Sequence, residues 1–186
     1  MRVLTLSIAI NCSSCVISNT RTNQDVNYQE HPTRIYVVAN LDATGNGVTD
    51  EFYKDFSARV AACGGQTAIS TPQIETQRDA LSLDSTANAT HNGSILADID
   101  AFRPDAVLTM KVTNIGVDMY GQKLTAVVDS KLWDYREKKA IWAGVTNMSL
   151  GGMWASPVMR GDSLSENITG KLRSGGLIPS CRASGS

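Results

Sequence analysis

Hydrophobic and polar positions along the chain fall into alternating strand-like and helix-like stretches. Arg34-Ile-Tyr-Val-Val-Ala-Asn-Leu41 is a β-branched apolar run closed by the polar, glycine-bearing Asp42–Gly47. This predicts a first strand, central in its sheet, followed by a loop. Phe52, Phe56, Val60 and Cys63 then recur at helical spacing behind Thr49 or Asp50 as a cap, and Gly64-Gly65 ends the stripe. Cys63 thus closes the apolar face of the first helix. Gln66–Thr71 is a short second strand ended by Pro72. Residues 72 to 93 are polar, with a short helix expected over Gln73–Leu83 and a loop after it.

The second half carries the clearer signals. Ser94 caps a helix whose Ile95, Leu96, Ile99 and Phe102 share a face, and Pro104 stops it. Ala106–Thr113 is a strand with Leu108, Met110 and Val112 on one side. Lys123–Asp134 alternates Leu124, Ala126, Val128, Ser130 and Leu132 against Thr125, Val127, Asp129, Lys131 and Trp133. The charged Tyr135–Lys139 turns the chain, and Ala140–Ser149 returns antiparallel, a long hairpin at or next to the centre of the sheet. Strict alternation sets Trp142 opposite Ile141 and Ala143, and Trp133 opposite Leu132. A capping box at Ser163–Glu166 opens a last helix with Leu164, Ile168 and Leu172 as its stripe. Gly175-Gly176 ends it, and Leu177-Ile178 fold back over the helix end. The order β-α-β-α-β-β-β-α is an α/β chain of the α+β sandwich kind: a mixed sheet of about five strands with three main helices.

The N-terminus has a different grammar. Arg2 precedes the short apolar stretch Val3–Ile10, and small polar residues and two cysteines, Cys12 and Cys15, follow. That order is that of a secretory signal; a buried first strand is the alternative for the same residues. Residues 16–33 are polar without a strand or helix period and read as a flexible tether, with His31 a solvated residue within it. The division is therefore a signal-like segment over 1–15, a tether over 16–33 and one globular domain over 34–182.

Composition narrows the function. Of 186 residues, 42% are hydrophobic and 19% charged, enough apolar matter for a core. Seventeen Lys and Arg against eighteen Asp and Glu leave a net charge of −1, which argues against a nucleic-acid partner, since such binding needs phosphate neutralisation. Neither of the two histidines, His31 and His91, has an evident catalytic or metal-ligating partner, and Asp98 and Asp100, two apart on a helix, do not face each other. No catalytic residue, metal or cofactor is assigned. Arg160-Gly161-Asp162 spells an adhesion tripeptide that chance alone explains. Asn88, Asn92, Asn147 and Asn167 begin glycosylation sequons that matter only in a eukaryotic secretory route.

"RIYVVANL", "DAVLTMKVTNIGV", the hairpin "AVVDSKLWDYREKKAIWAG" and the closing "LSENITGKLRSGGLI" together resemble small periplasmic lipoproteins of the LpoB, PelC and CsgG type, over about residues 34–178. Asp134 and Trp142 match the Asp and Trp of the hairpin pattern. Cys12 and Cys15 likewise resemble the acylated cysteine of a bacterial lipoprotein signal. Cys15, with Ser13 and Ser14 before it, fits better than Cys12, which follows Asn11. The resemblance implies a non-enzymatic protein on the periplasmic face of the outer membrane, or in the periplasm. Its implied partners are a membrane, through a lipid, and an unidentified envelope protein to which it is an accessory or adaptor. The alternative is a soluble exported module that binds a small ligand or glycan through the 72–93 loop and Trp154.

Two further expectations follow. Trp154, in a Gly-Gly-Met-Trp loop between Met153 and Met159, is a candidate exposed partner contact. With Cys12 and Cys15 in the leader, Cys63 and Cys181 remain, and an oxidising compartment would pair them.

Overall fold

In a computed structural model, residue 16 and residues 18–70, 92–151 and 155–179 are described. They form a six-stranded mixed sheet with three helices. The strands are β1 (Ser18–Gln24), β2 (Arg34–Asn40), β3 (Gln66–Ser70), β4 (Ala106–Val117), β5 (Lys123–Asp134) and β6 (Lys139–Ser149). The helices are α1 (Val48–Ala61), α2 (Asn92–Phe102) and α3 (Pro157–Ser174). Across the sheet the order is β1-β6-β5-β4-β2-β3. β2 runs parallel to both β3 and β4, and the other pairs are antiparallel.

One face of the sheet carries α1 and α3 and holds the main core. Ile35, Val37, Leu108, Met110, Val128, Leu132, Trp142 and Met148 meet Phe52, Phe56 and Val60 of α1 and Leu164, Ile168 and Leu172 of α3. Leu177 and Ile178 fold back into the same core, as expected. Among the described residues, the other face is covered by α2, through Ile95, Ile99 and Phe102 against Tyr36, Val38 and Val107. β2 lies under helices on both faces, which is why five successive residues, Ile35–Ala39, are buried and why the segment reads as a continuous apolar run. It is paired on both sides but is not central, because only β3 lies beyond it.

Several local expectations are corrected. The tether expected over 16–33 contains β1, so the sheet has six strands. α1 begins at Val48 after Gly47, without a side-chain cap from Thr49 or Asp50. Asp42 instead reaches forward, its Oδ1 accepting from the Thr49 amide at 3.1 Å and the Thr49 hydroxyl at 2.9 Å. The buried stripe of α1 ends at Val60. Cys63 lies past the helix, half-buried, beside the Arg59 carbonyl. α2 starts at Asn92 rather than after Ser94, and Leu96, 47% exposed, is off the packed face. α3 starts six residues before the expected capping box. Ser156 accepts from the Met159 amide and Pro157 opens the first turn, a start signal that outranks Ser163–Glu166. In β6 a register shift beside Leu132 turns both Ile141 and Trp142 into the core, where strict alternation separates them. Trp133 stays half-buried on the opposite face, 6.0 Å from the Lys131 ammonium.

Gly161 sets the approach of the two core helices. A Cβ there would lie 2.6 Å from the Phe52 amide nitrogen and 2.8 Å from Glu51 Cβ, so α3 crosses α1 at a point where only hydrogen fits. This is the glycine of the Arg-Gly-Asp triplet, buried inside a helix. Gly170, on the exposed side of the same helix, has nothing within 4 Å of an added Cβ. Gly161→Ala is therefore expected to lower the unfolding free energy by about 1–3 kcal/mol in a urea titration. Gly170→Ala should raise it by about 0.5–1 kcal/mol, since helix-interior glycine carries an entropic cost that alanine does not.

Candidate functional site

The first described residues are built into the domain. Val16 packs against the core, and its carbonyl accepts from the Ser163 hydroxyl at 3.4 Å. β1 then pairs along its length with β6, from Ser18 opposite Met148 to Gln24 opposite Trp142. Its sequence, Ser-Asn-Thr-Arg-Thr-Asn-Gln, has no apolar residue, so no hydrophobic period announces it. Polar groups on α3 replace an apolar seam. The Ser18 hydroxyl donates to the Ser163 carbonyl at 2.8 Å, and Asn167 Nδ2 donates to the Ser18 carbonyl at 2.8 Å. The buried Thr20 hydroxyl meets that of Thr146 at 2.6 Å and bonds Asn167 Oδ1. Gln24 Nε2 donates to the Gly175 carbonyl at 2.7 Å, at the far end of the helix. β1 and α3 therefore run side by side in the same direction.

The chain stays tied down after β1. The Asp25 amide donates to the Ile141 carbonyl, and the Asp25 carboxylate lies 3.0 Å from Lys139 Nζ. Tyr28 donates its hydroxyl to Asp134 Oδ2 at 2.8 Å, while Asp134 Oδ1 accepts from the Glu137 amide at 2.6 Å. Burial and the adjacent Asp134 carboxylate push the Tyr28 hydroxyl well above its ordinary value, so it acts as a neutral donor. Asp134, which the sequence resemblance singled out, is thus the buried acceptor of this strap. His31 is exposed, but its Nδ1 is bonded to the Gly176 carbonyl rather than left in solvent.

Asp105, at the head of β4, closes the segment. Its Oδ2 accepts from the Thr33 amide at 2.9 Å, the Thr33 hydroxyl at 3.0 Å and the Arg34 amide at 2.9 Å. Partial burial alone would raise this carboxyl, but the three donors outweigh it and hold it below the usual carboxylate range.

Cys12, Cys15, Cys181, Met153, Trp154, His91 and the greater part of the 72–93 loop lie outside the described residues. Met159, the third expected contact residue, sits in the first turn of α3 and is 38% exposed. Cys63 is not a free thiol, and Arg173 Nη2 approaches its Sγ at 3.1 Å while donating to the Arg59 carbonyl at 2.6 Å. Arg160, rather than presenting an adhesion motif, donates to the Leu150 and Thr44 carbonyls.

Besides β1, the β4–β5 hairpin tip went unread in the sequence. Met119 is 87% exposed and Tyr120 81% exposed, on a turn where Asp118 accepts from the Tyr120 and Gln122 amides and Gly121 has φ 78°. The Asp-x-x-Gly spacing was the available signal. Among the described residues no helix is long and apolar enough to cross a membrane.

No family model and no curated protein matches the chain. Among solved structures, it is similar to a PelC dodecamer from Paraburkholderia phytofirmans, with TM-score 0.48 and 11% identity over 81% of this chain and 96% of that one. It is similar to lipoprotein GNA1162 from Neisseria meningitidis, with TM-score 0.40 and 17% identity over 77% and 99%. Protein XCC0632 from Xanthomonas campestris gives TM-score 0.36 and 10% identity over 88% and 92%. Of the three lipoprotein types that the sequence resembles, PelC is the one that recurs among these structures.

Two outcomes test the N-terminal lamination. Asn167→Ala strips partners from the Thr20 hydroxyl and the Ser18 carbonyl and is expected to cost about 1–3 kcal/mol. Hydrogen exchange should accelerate in β1 while β2 and β4 stay protected. Asp105 contributes stability that is full above the unfolded carboxylate value of about 3.9 and is lost as pH falls through its lower folded value. Asp105→Asn should flatten that acid limb in denaturation curves recorded between about pH 2 and pH 5.

Proposed function

We propose that this chain is an exported envelope protein, acylated on Cys15 or Cys12, that serves as a non-enzymatic accessory to a larger envelope assembly. The reading begins with the positively charged, apolar, small-residue leader that ends in two cysteines. One structural observation supports it further: Val16, the residue after Cys15, packs against the core, and β1 begins at Ser18. A lipid on Cys15 would hold the domain against the membrane surface rather than at the end of a tether. An accessory protein fixed in this way presents the same faces to every neighbour in the envelope.

An oxidising compartment also accounts for the cysteines. Cys63 is not a free thiol, and Arg173, in the last turn of α3, sits beside its sulfur. Cys181 follows eight residues later in the chain. We assign the Cys63–Cys181 bridge to this reading. It closes a long loop and is expected to add about 3–5 kcal/mol on the chain-entropy model.

Mass analysis of the protein isolated from native membranes checks both points. The expected N-terminal peptide begins at an acylated Cys15, and non-reducing digestion links the Cys63 and Cys181 peptides. A chain that keeps Met1, or begins at an unmodified residue, overturns the anchor.

A further inference from the structure

Nine large hydrophobic side chains are exposed among the described residues, and they are unevenly distributed. Six of them, Val117, Met119, Tyr120, Leu124, Val158 and Met159, belong to one end of the sheet. The register defines that end. Ser18 pairs with Met148, Met148 with Ala126, and Ala126 with Ile115, so these four residues form one row across β1, β6, β5 and β4. Beyond the row lie the end of β4, the start of β5 and the turn between them.

Two described parts of the chain project past this row by similar distances. The β4–β5 hairpin continues for two strand residues and a turn, about 10 Å at strand rise. α3 runs alongside β1 with Ser163 level with Ser18, so Val158 lies five residues beyond, about 8 Å at helical rise. Val16, the residue after the proposed acylation site, stands at this same end, its carbonyl accepting from the Ser163 hydroxyl. The hairpin tip and the first turn of α3 can therefore meet a single plane, at the end where Val16 joins the fold.

The charges at this end do not oppose such a contact. Asp118 is turned back onto the amides of its own loop. Lys123 Nζ donates to the Ala43 carbonyl at 2.6 Å, and the Arg160 guanidinium is spent on the Leu150 and Thr44 carbonyls. What projects is Met119 and Tyr120 on one side and Val158 and Met159 on the other. Separate apolar prongs, one ending in tyrosine, match the membrane–water interface, where amphipathic aromatic rings reside. A protein interface would instead favour one contiguous, well-packed patch.

We infer that this end of the sheet is a membrane-seating face: the β4–β5 tip, through Met119 and Tyr120, and the first turn of α3, through Val158 and Met159, enter the headgroup region of the bilayer that holds the acyl group. The inference rests on the anchored reading above and names the surface it presents to lipid. Seating on several points fixes the tilt of the domain, which one acyl-bearing residue cannot do.

The test uses the mature chain purified from membranes, its N-terminal mass recorded first, in vesicles of phosphatidylethanolamine and phosphatidylglycerol. The lipids carry bromine near the top of the acyl chains. A Tyr120→Trp variant reports on the tip, and Val26→Trp, at an 88% exposed site beyond the opposite end of β1, is the control. Bromolipid is expected to remove at least half of the emission added by Tyr120→Trp and to leave that of Val26→Trp unchanged. Equal emission from both in an acylated chain overturns the seating face and leaves the anchor standing. An unacylated chain overturns the anchor. The seating face then stands or falls on whether added vesicles alone quench Tyr120→Trp. If emission from Tyr120→Trp shifts to the blue with protein concentration and without vesicles, the occupant is a second copy, and the seating face is overturned.

Discussion

The close crossing of α1 and α3 at Gly161 governs most of the architecture. It sets both helices down on the same sheet face, and that shared face is where Phe52, Phe56, Leu164 and Ile168 bury the inner sides of β2, β4, β5 and β6. It also fixes the line of α3. The line of α3 decides where its polar residues fall, and β1 is held by those residues. A bulkier residue at one glycine would thus be felt at a strand more than a hundred residues earlier in the chain.

The same placement explains the asymmetry of the sheet. Among the described residues, one face is roofed by two helices and the other by the short α2, over β2, β3 and β4. Thr125, Asp129, Lys131, Val145 and Asn147 occupy that other side of β5 and β6, with polar residues of β1 beside them. The half-open sheet and the apolar end are different surfaces of the molecule. A domain seated by its end would leave the open sheet face and the back of the helices standing free above the lipid.

Legibility in the sequence followed how each element meets its surroundings. β5 was read residue for residue, and β6 to within one, because one face is core and the other solvent, so alternation survives in the sequence. The stripes of α1 and α3 were readable for the same reason. β1 was not, because its buried side meets hydroxyls and an amide rather than aliphatic groups, and a polar strand looks like a linker. The bulge near Leu132 defeated strict alternation by turning two successive residues inward. The start of α3 was hidden by a second, better-spaced capping pattern inside the helix. At the site, how closely the residues from Val16 onward join the fold depended on β1 and was not legible. The hairpin tip escaped because apolar residues on a turn have no period to reveal them.

The pairing of the first strand with the last has a further meaning for a chain delivered in order of synthesis. β1 leads the described fold, yet its neighbours are β6 and α3, which end near residues 149 and 174. Until those have arrived, Ser18–Gln24 has neither a ladder nor the Asn167 amide to hold it. Through most of the chain's synthesis, this segment therefore lacks its native partners. Arrival of α3 ends that interval, so the first described strand is among the last parts of the sheet to close.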